Sequence, residues 1–178
     1  MIPEPLHPAV VHFPIVLSLL LPIAVLWAIV LIRTGERARR AWLPPLILAL
    51  ALAGSSWLAV ETGEDDEEAV EELVVESAIH EHEDVAVLFL GLAVGTLLVV
   101  GLGFLKGRPG SAARALAAVA AVAMVGVGYQ VGHTGGDLVY VHGAADAYAT
   151  GSRVRSEADT DRDDHDQDDE PSEESARR

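Results

Sequence analysis

The sequence contains no cysteine, which removes disulfides, thiolate zinc sites, iron–sulfur ligation and covalent c-type haem attachment together. Any metal or haem must therefore be held by His, carboxylate or Met. Basic residues are scarce: 12 Lys and Arg stand against 27 Asp and Glu, a formal net charge of −15. Binding to a phosphate backbone needs clustered cations, so the composition argues against a nucleic-acid partner. Charge of either sign is low as well, at 22% of residues against 51% hydrophobic. A soluble domain hides its apolar residues in one core, whereas this chain of 178 residues gathers them in blocks.

Four stretches lack Asp, Glu, Lys and Arg altogether: Val10–Ile32, Ala41–Val60, Val85–Leu105 and Ala115–Gly132. A helix rises about 1.5 Å per residue and needs about 20 apolar residues to cross a hydrocarbon core of about 30 Å. Each block meets that length, the fourth barely. Four buried helices in one small soluble chain would leave almost no polar face for water, so the blocks read as membrane spans in contact with a lipid bilayer. No Lys or Arg precedes Arg33. The first block thus lacks the positive flank of a cleaved signal peptide and is expected to be a permanent span.

Charge placement sets the expected orientation. Outside the C-terminal tail the basic residues are Arg33, Arg37, Arg39 and Arg40, then Lys106, Arg108 and Arg114, all in two short connections. Short basic loops stay in the cytoplasm. The segment from Glu61 to Asp84 carries 12 acids and no base, which assigns it to the other side together with both termini. The expected architecture is all-α: a four-helix transmembrane bundle, N-out and C-out, multi-pass in the cell (plasma) membrane. Residues 1–150 form this domain, and 151–178 form an acidic tail too polar to offset the entropy of ordering. Within the outer loop, Val70, Leu73, Val74, Ser77 and Ala78 recur at helical spacing opposite Glu67, Glu68, Glu71, Glu72 and Glu76, the pattern of a short acidic amphipathic helix.

Six of the seven histidines fall at span ends, and the topology gathers all six on the outer side. His7 and His12 open the first span, His80 and His82 the third, and His133 and His142 follow the fourth; Glu61 ends the second. Separate helix ends that bring histidines to one mouth of a bundle are how helical bundles build metal and cofactor sites, and ionisable groups at membrane depth mark function. His7 and His12 differ by about 140° and His80 and His82 by about 200° around a helix. The reading is that His12 faces the bundle with His7 above it, and that His82 points inward with Glu83 and Asp84 as acceptors for its ring. Glycines around His133, in Gly132-His133-Thr134-Gly135-Gly136-Asp137, act as a helix C-cap or offer backbone N–H groups to an anion. Gly91 with Gly95 and Gly128 with Gly132 are small-xxx-small pairs for close helix approach.

The run Leu6-His7-Pro8-Ala9-Val10-Val11-His12-Phe13-Pro14-Ile15 resembles the HPxxVHFPI signature of a family of small predicted membrane proteins classed as a domain of unknown function. The resemblance covers residues 3 to about 145 as a four-span unit. It implies a histidine at the start of the third span, which falls on His82 or His80. A subset of those relatives, fused to cytochrome-like regions, has a terminal motif similar to Gly132–Tyr140, which implies a redox setting. With no CxxCH in this sequence, the resemblance implies a non-covalent b-type haem.

The leading expectation is a membrane protein that binds haem b for electron transfer at the outer face, with His12 and His82 as the best ligand pair, His133 beside them, and a redox or membrane-protein partner. The alternative is a divalent zinc or copper site in transport or sensing, drawing on His7, His12, His80, His82, His133 and Glu61. A third is a structural subunit that binds no cofactor. No nucleophile–base pair or phosphate loop accompanies the histidines, so an ordinary enzyme is the reading with least support.

Overall fold

A computed structural model of the chain describes residues 6–70 and 74–145, with the side chains of 65–70 left out. The predicted acidic tail lies outside the described residues. The described chain is all-helical: α1 (His7–Val10), α2 (His12–Arg33), α3 (Ala38–Val70), α4 (Glu76–Leu102) and α5 (Gly107–Tyr140). Four helices, His7–Arg33 with α1 and α2 taken together, Ala38–Glu64, Glu76–Leu102 and Gly107–Tyr140, are long and apolar enough to cross a membrane. Their outward faces carry large apolar side chains such as Phe13, Trp27, Leu98 and Val119, as lipid-facing helices must.

Proline explains the break between α1 and α2. Pro14 has no N–H to donate to the Val10 carbonyl, and the next bond, from Ile15 N to Val11 O, is stretched to 3.4 Å. The chain turns at Val11. At the opposite end, α2 meets α3 through Gly35 and α4 meets α5 through Gly107, both at positive φ (103° and 71°), where a side chain would be strained. The seven basic residues outside the tail gather at these two connections.

Consecutive helices pack side by side, and α2 also packs against α5, so the four long helices close into a ring. The core is thin and built of small residues: Ala28, Ala49, Ala93, Ala117 and Ala121 are buried together with Leu21, Val25, Leu52 and Met124. Small residues permit the backbone approach on which helix association in lipid depends. Gly128 is one such point, facing Ser18 and Phe89. Gly91, Gly95 and Gly132 instead have open space where a Cβ would stand. The pairing expected of them therefore holds only at Gly128, because the buried stripe of α4 runs through Phe89, Ala93, Thr96 and Val100 and passes the glycines by.

The arginine end is locked by Trp42. Its indole Nε1 donates to the Val100 carbonyl at 2.8 Å, its ring packs against Gly103, and the Arg114 guanidinium stacks 5.8 Å above it. Arg114 Nε also donates to the Gly103 carbonyl at 2.9 Å, satisfying an orphan acceptor at the C-terminus of α4. This turn ends α4 at Leu102, so Gly103–Leu105 lie outside the helix expected to include them.

Three further expectations are corrected. The acidic outer helix is not a separate element, because α3 runs on through Val70 and α4 begins at Glu76; its predicted face at Glu71, Glu72 and Leu73 lies outside the described residues. The Gly132–Asp137 segment is not a cap, since α5 continues through it to Tyr140. Its amides thereby belong to the helix ladder and are not offered to an anion. After α5 the chain folds back, and Ala144 packs with Val74 and Ile79 over the start of α4.

Among the described residues the Thr96 hydroxyl is buried with no hydrogen bond. Leaving such a group unsatisfied costs about 1–3 kcal/mol, and valine has nearly the same shape. Thr96→Val is expected to raise the thermal midpoint of the detergent-solubilised protein by the equivalent of about 1 kcal/mol. A lowered midpoint would show that the hydroxyl has a partner in the membrane.

A histidine pair at one end of the bundle

The buried stripe of α2 runs through Pro14, Ser18, Leu21, Val25 and Ala28. Two helical turns before Pro14, that stripe reaches His7. His12 stands two residues from Pro14, on roughly the opposite side, and is exposed. The expected roles are therefore reversed: His7 turns into the bundle and His12 faces outward. His7 Nδ1 lies 2.8 Å from the Ala59 carbonyl of α3 and 3.4 Å from Thr62 Oγ1. A carbonyl only accepts, so Nδ1 carries the proton. The Thr62 hydroxyl donates to Leu58 O at 2.9 Å, leaving its oxygen to accept from the ring as well.

The same construction recurs in the second half. Two turns before buried Phe89 comes His82, which is half-buried, whereas His80 is on the exposed side. His82 Nδ1 lies 2.9 Å from Thr134 Oγ1 of α5. Thr134 Oγ1 also lies 3.2 Å from the Gln130 and Val131 carbonyls, and when its proton goes to either of them the ring is the donor to it. His7 is thus held with Nδ1 protonated, and His82 is held the same way when Thr134 donates to its own helix; in such a neutral ring the lone pair is on Nε2.

The two rings meet across the bundle mouth, with centroids 6.4 Å apart and planes at 86°. Each lies over a glycine of the helix that anchors it: a Cβ on Gly63 would approach His7 Cε1 to 3.2 Å, and one on Gly135 would approach His82 Cε1 to 3.1 Å. Sequence reasoning puts Glu61-Thr62-Gly63 at the depth of the histidines and reads Thr134-Gly135 only as part of a glycine-rich helix end, so neither Thr-Gly pair is recognised as the floor of the site. The signal was present, since the dipeptide Thr-Gly recurs at the end of the second and fourth apolar blocks.

The other expected site residues lie elsewhere. His80 is exposed, with Nδ1 3.0 Å from Glu83 Oε2 and Nε2 3.5 Å from Glu76 Oε1. Glu83 thus serves His80 and not His82, and Asp84 is exposed; the acceptor for His82 is Thr134. His133 is exposed on α5, 3.0 Å from Asp137 Oδ2 and beside Tyr129. Glu61 points outward at the corresponding place on α3. His142 is half-buried beyond α5. Among the described residues no three His, Asp or Glu side chains come together as a metal-binding group. A cavity of about 280 Å³ lined by Ala24, Trp27, Leu31, Glu36, Arg40 and Pro44 opens at the arginine end, remote from the ring pair.

Comparison with known proteins places this arrangement in a family. Neither curated proteins nor solved structures gave a match. A family model described as "Predicted membrane protein (DUF2231)" matches residues 3–147, a span that takes in α1 to α5 and both histidines of the pair. The four candidate spans fit that description, and the chain is a member of this family of integral membrane proteins of unknown function.

Proposed function

We propose that this membrane protein holds a haem b at the histidine end of its bundle, with His7 and His82 as axial ligands, and passes single electrons to a redox partner there. The observation that carries the reading is the pair itself: two imidazoles from different helices, brought to one mouth of the bundle and each anchored through Nδ1 to the neighbouring helix. Metal-bound histidines commonly donate their other ring nitrogen to a carbonyl or similar acceptor, which fixes tautomer and orientation. The ring centres stand 6.4 Å apart, a separation that two metal–nitrogen bonds of about 2.0 Å would bridge once the rings turn their Nε2 atoms toward one another. Haem brings four nitrogens of its own and needs two axial donors from the protein; bound, it supplies one-electron chemistry. A closed tetrahedral zinc site asks for three or four protein ligands, more than the pair offers.

The same spacing fits a second reading, a single copper ion held directly by the two imidazoles. Absorption and metal analysis of the purified protein separate them. A Soret band that shifts on dithionite supports haem. A colourless protein with stoichiometric copper overturns haem in favour of the ion, and a protein with neither overturns both.

We place the histidine end outside the cytoplasm of the plasma membrane, with both termini, because every basic residue of the two short connections lies at the other end. Cysteines introduced as Arg37→Cys and Ser111→Cys are expected to be shielded from impermeant thiol reagents in intact cells, and Glu76→Cys to be labelled. The reverse pattern would put the ring pair on the cytoplasmic side.

A further inference from the structure

The correspondence between the two ring anchors extends through the whole bundle. Buried Pro14, Ser18, Leu21 and Val25 of α2 match buried Phe89, Ala93, Thr96 and Val100 of α4, and one constant sequence offset, the same that separates His7 from His82, relates every pair. Buried Pro45, Ala49, Leu52 and Ser56 of α3 match Ala117, Ala121, Met124 and Gly128 of α5 at a second constant offset, which also relates Thr62 to Thr134 and Gly63 to Gly135. Exposed Glu61 and His133 are partners under it too. Exchanging α2 with α4 and α3 with α5 maps the ring of helix neighbours onto itself. The halves are hairpins of the same direction, so they are parallel repeats about an axis along the bundle, a plan known among membrane proteins.

We infer that the chain is two repeats of one histidine-first, Thr-Gly-last helical hairpin, and that Thr134 is a positioning residue that holds His82 as the Nδ1–H tautomer, a task the Ala59 carbonyl performs for His7 in the first repeat. The inference rests on the haem reading only in taking the two Nε2 atoms as the ligating ones. The repeats have diverged in strength. In both repeats the threonine hydroxyl lies 3.2 Å from the carbonyl three residues before it, Ala59 or Val131, but His82 has the Thr134 hydroxyl at 2.9 Å as its ring partner. His7 has the Ala59 carbonyl at 2.8 Å and Thr62 only at 3.4 Å. Thr134 therefore matters more to its ring than Thr62 does to His7.

The test is ¹⁵N NMR of the full-length, histidine-labelled chain in detergent, reduced with dithionite and held about 1.5 pH units above the usual histidine pKa of about 6.5. The signals of His7 and His82 are identified by their loss in His7→Ala and His82→Ala. Both are expected to show a protonated Nδ1. Thr134→Val should move His82 away from that tautomer and Thr134→Ser should restore it, while Thr62→Val leaves His7 largely unchanged. The retained signals of the other histidines report that each variant is folded. An Nε2–H form of His82 in the unaltered chain, or a His82 signal indifferent to Thr134→Val, would overturn the inference. A colourless chain that shows both Nδ1–H signals overturns the haem reading and supports the inference.

Discussion

With haem held as proposed, replacing either His7 or His82 with alanine is expected to remove it almost completely, whereas His12→Ala, His80→Ala and His133→Ala leave occupancy near that of the unaltered chain. Loss of an outer partner that merely orients a ligand lowers metal affinity about 10–100-fold, and loss of the ligand itself must exceed that. The division between the two groups follows from the buried stripes. His7 and His82 continue the inward faces of α2 and α4 and are anchored by α3 and α5. His80 and His133 instead engage carboxylates on their own helices. Glu83→Gln should also be silent, because Glu83 reaches His80. Haem or metal content per chain, measured on monodisperse protein, decides the matter. Loss of binding in His12→Ala with retention in His7→Ala would restore the assignment that spacing alone suggests.

The second large effect is on stability, at the opposite end of the bundle. Gly103→Ala is expected to destabilise the protein by several kcal/mol, while Gly101→Ala two residues away has little effect. A Cβ on Gly103 would collide with Trp42 Nε1 and approach Cε2 to 2.6 Å and Cζ2 to 2.9 Å, whereas one on Gly101 meets nothing within 4 Å. Overpacking of this kind costs about 1–3 kcal/mol. The rigid indole cannot retreat without breaking its bond to the Val100 carbonyl, and a buried donor left unpaired adds about 1–3 kcal/mol. Thermal unfolding in detergent checks both. Equal midpoints for the two variants would show that Trp42 does not lock this turn.

The spans were legible because length and charge exclusion are one-dimensional properties: each apolar block became a helix. The ends were less so. Gly132 to Gly136 look like a stop signal, yet α5 runs through them, since helix continuation there is set by packing over α4 and not by local propensity. The site was half legible. Its end of the bundle and His82 followed from the placement of histidines at span ends. The choice of His12 over His7 as the inward-facing residue failed because the angle between the two does not say which one faces the bundle, whereas the stripe leading back from Pro14 passes through His7 and misses His12. Counting back from the buried residues of α2 and α4 gives His7 and His82, and counting on from those of α3 and α5 gives Thr62 and Thr134. What sequence could not supply is the cross-helix contact itself, such as the 2.8 Å bond from His7 to a backbone carbonyl, because a carbonyl acceptor leaves no mark on residue type.

The central claim is that one histidine from each half of the chain binds the same iron. Electron paramagnetic resonance of the oxidised, purified protein tests it most directly. The account predicts a low-spin, six-coordinate ferric signal of bis-imidazole type in the unaltered chain, converted to high spin or lost in both His7→Ala and His82→Ala. A high-spin signal in the unaltered chain, or a low-spin signal that survives either substitution, would contradict it.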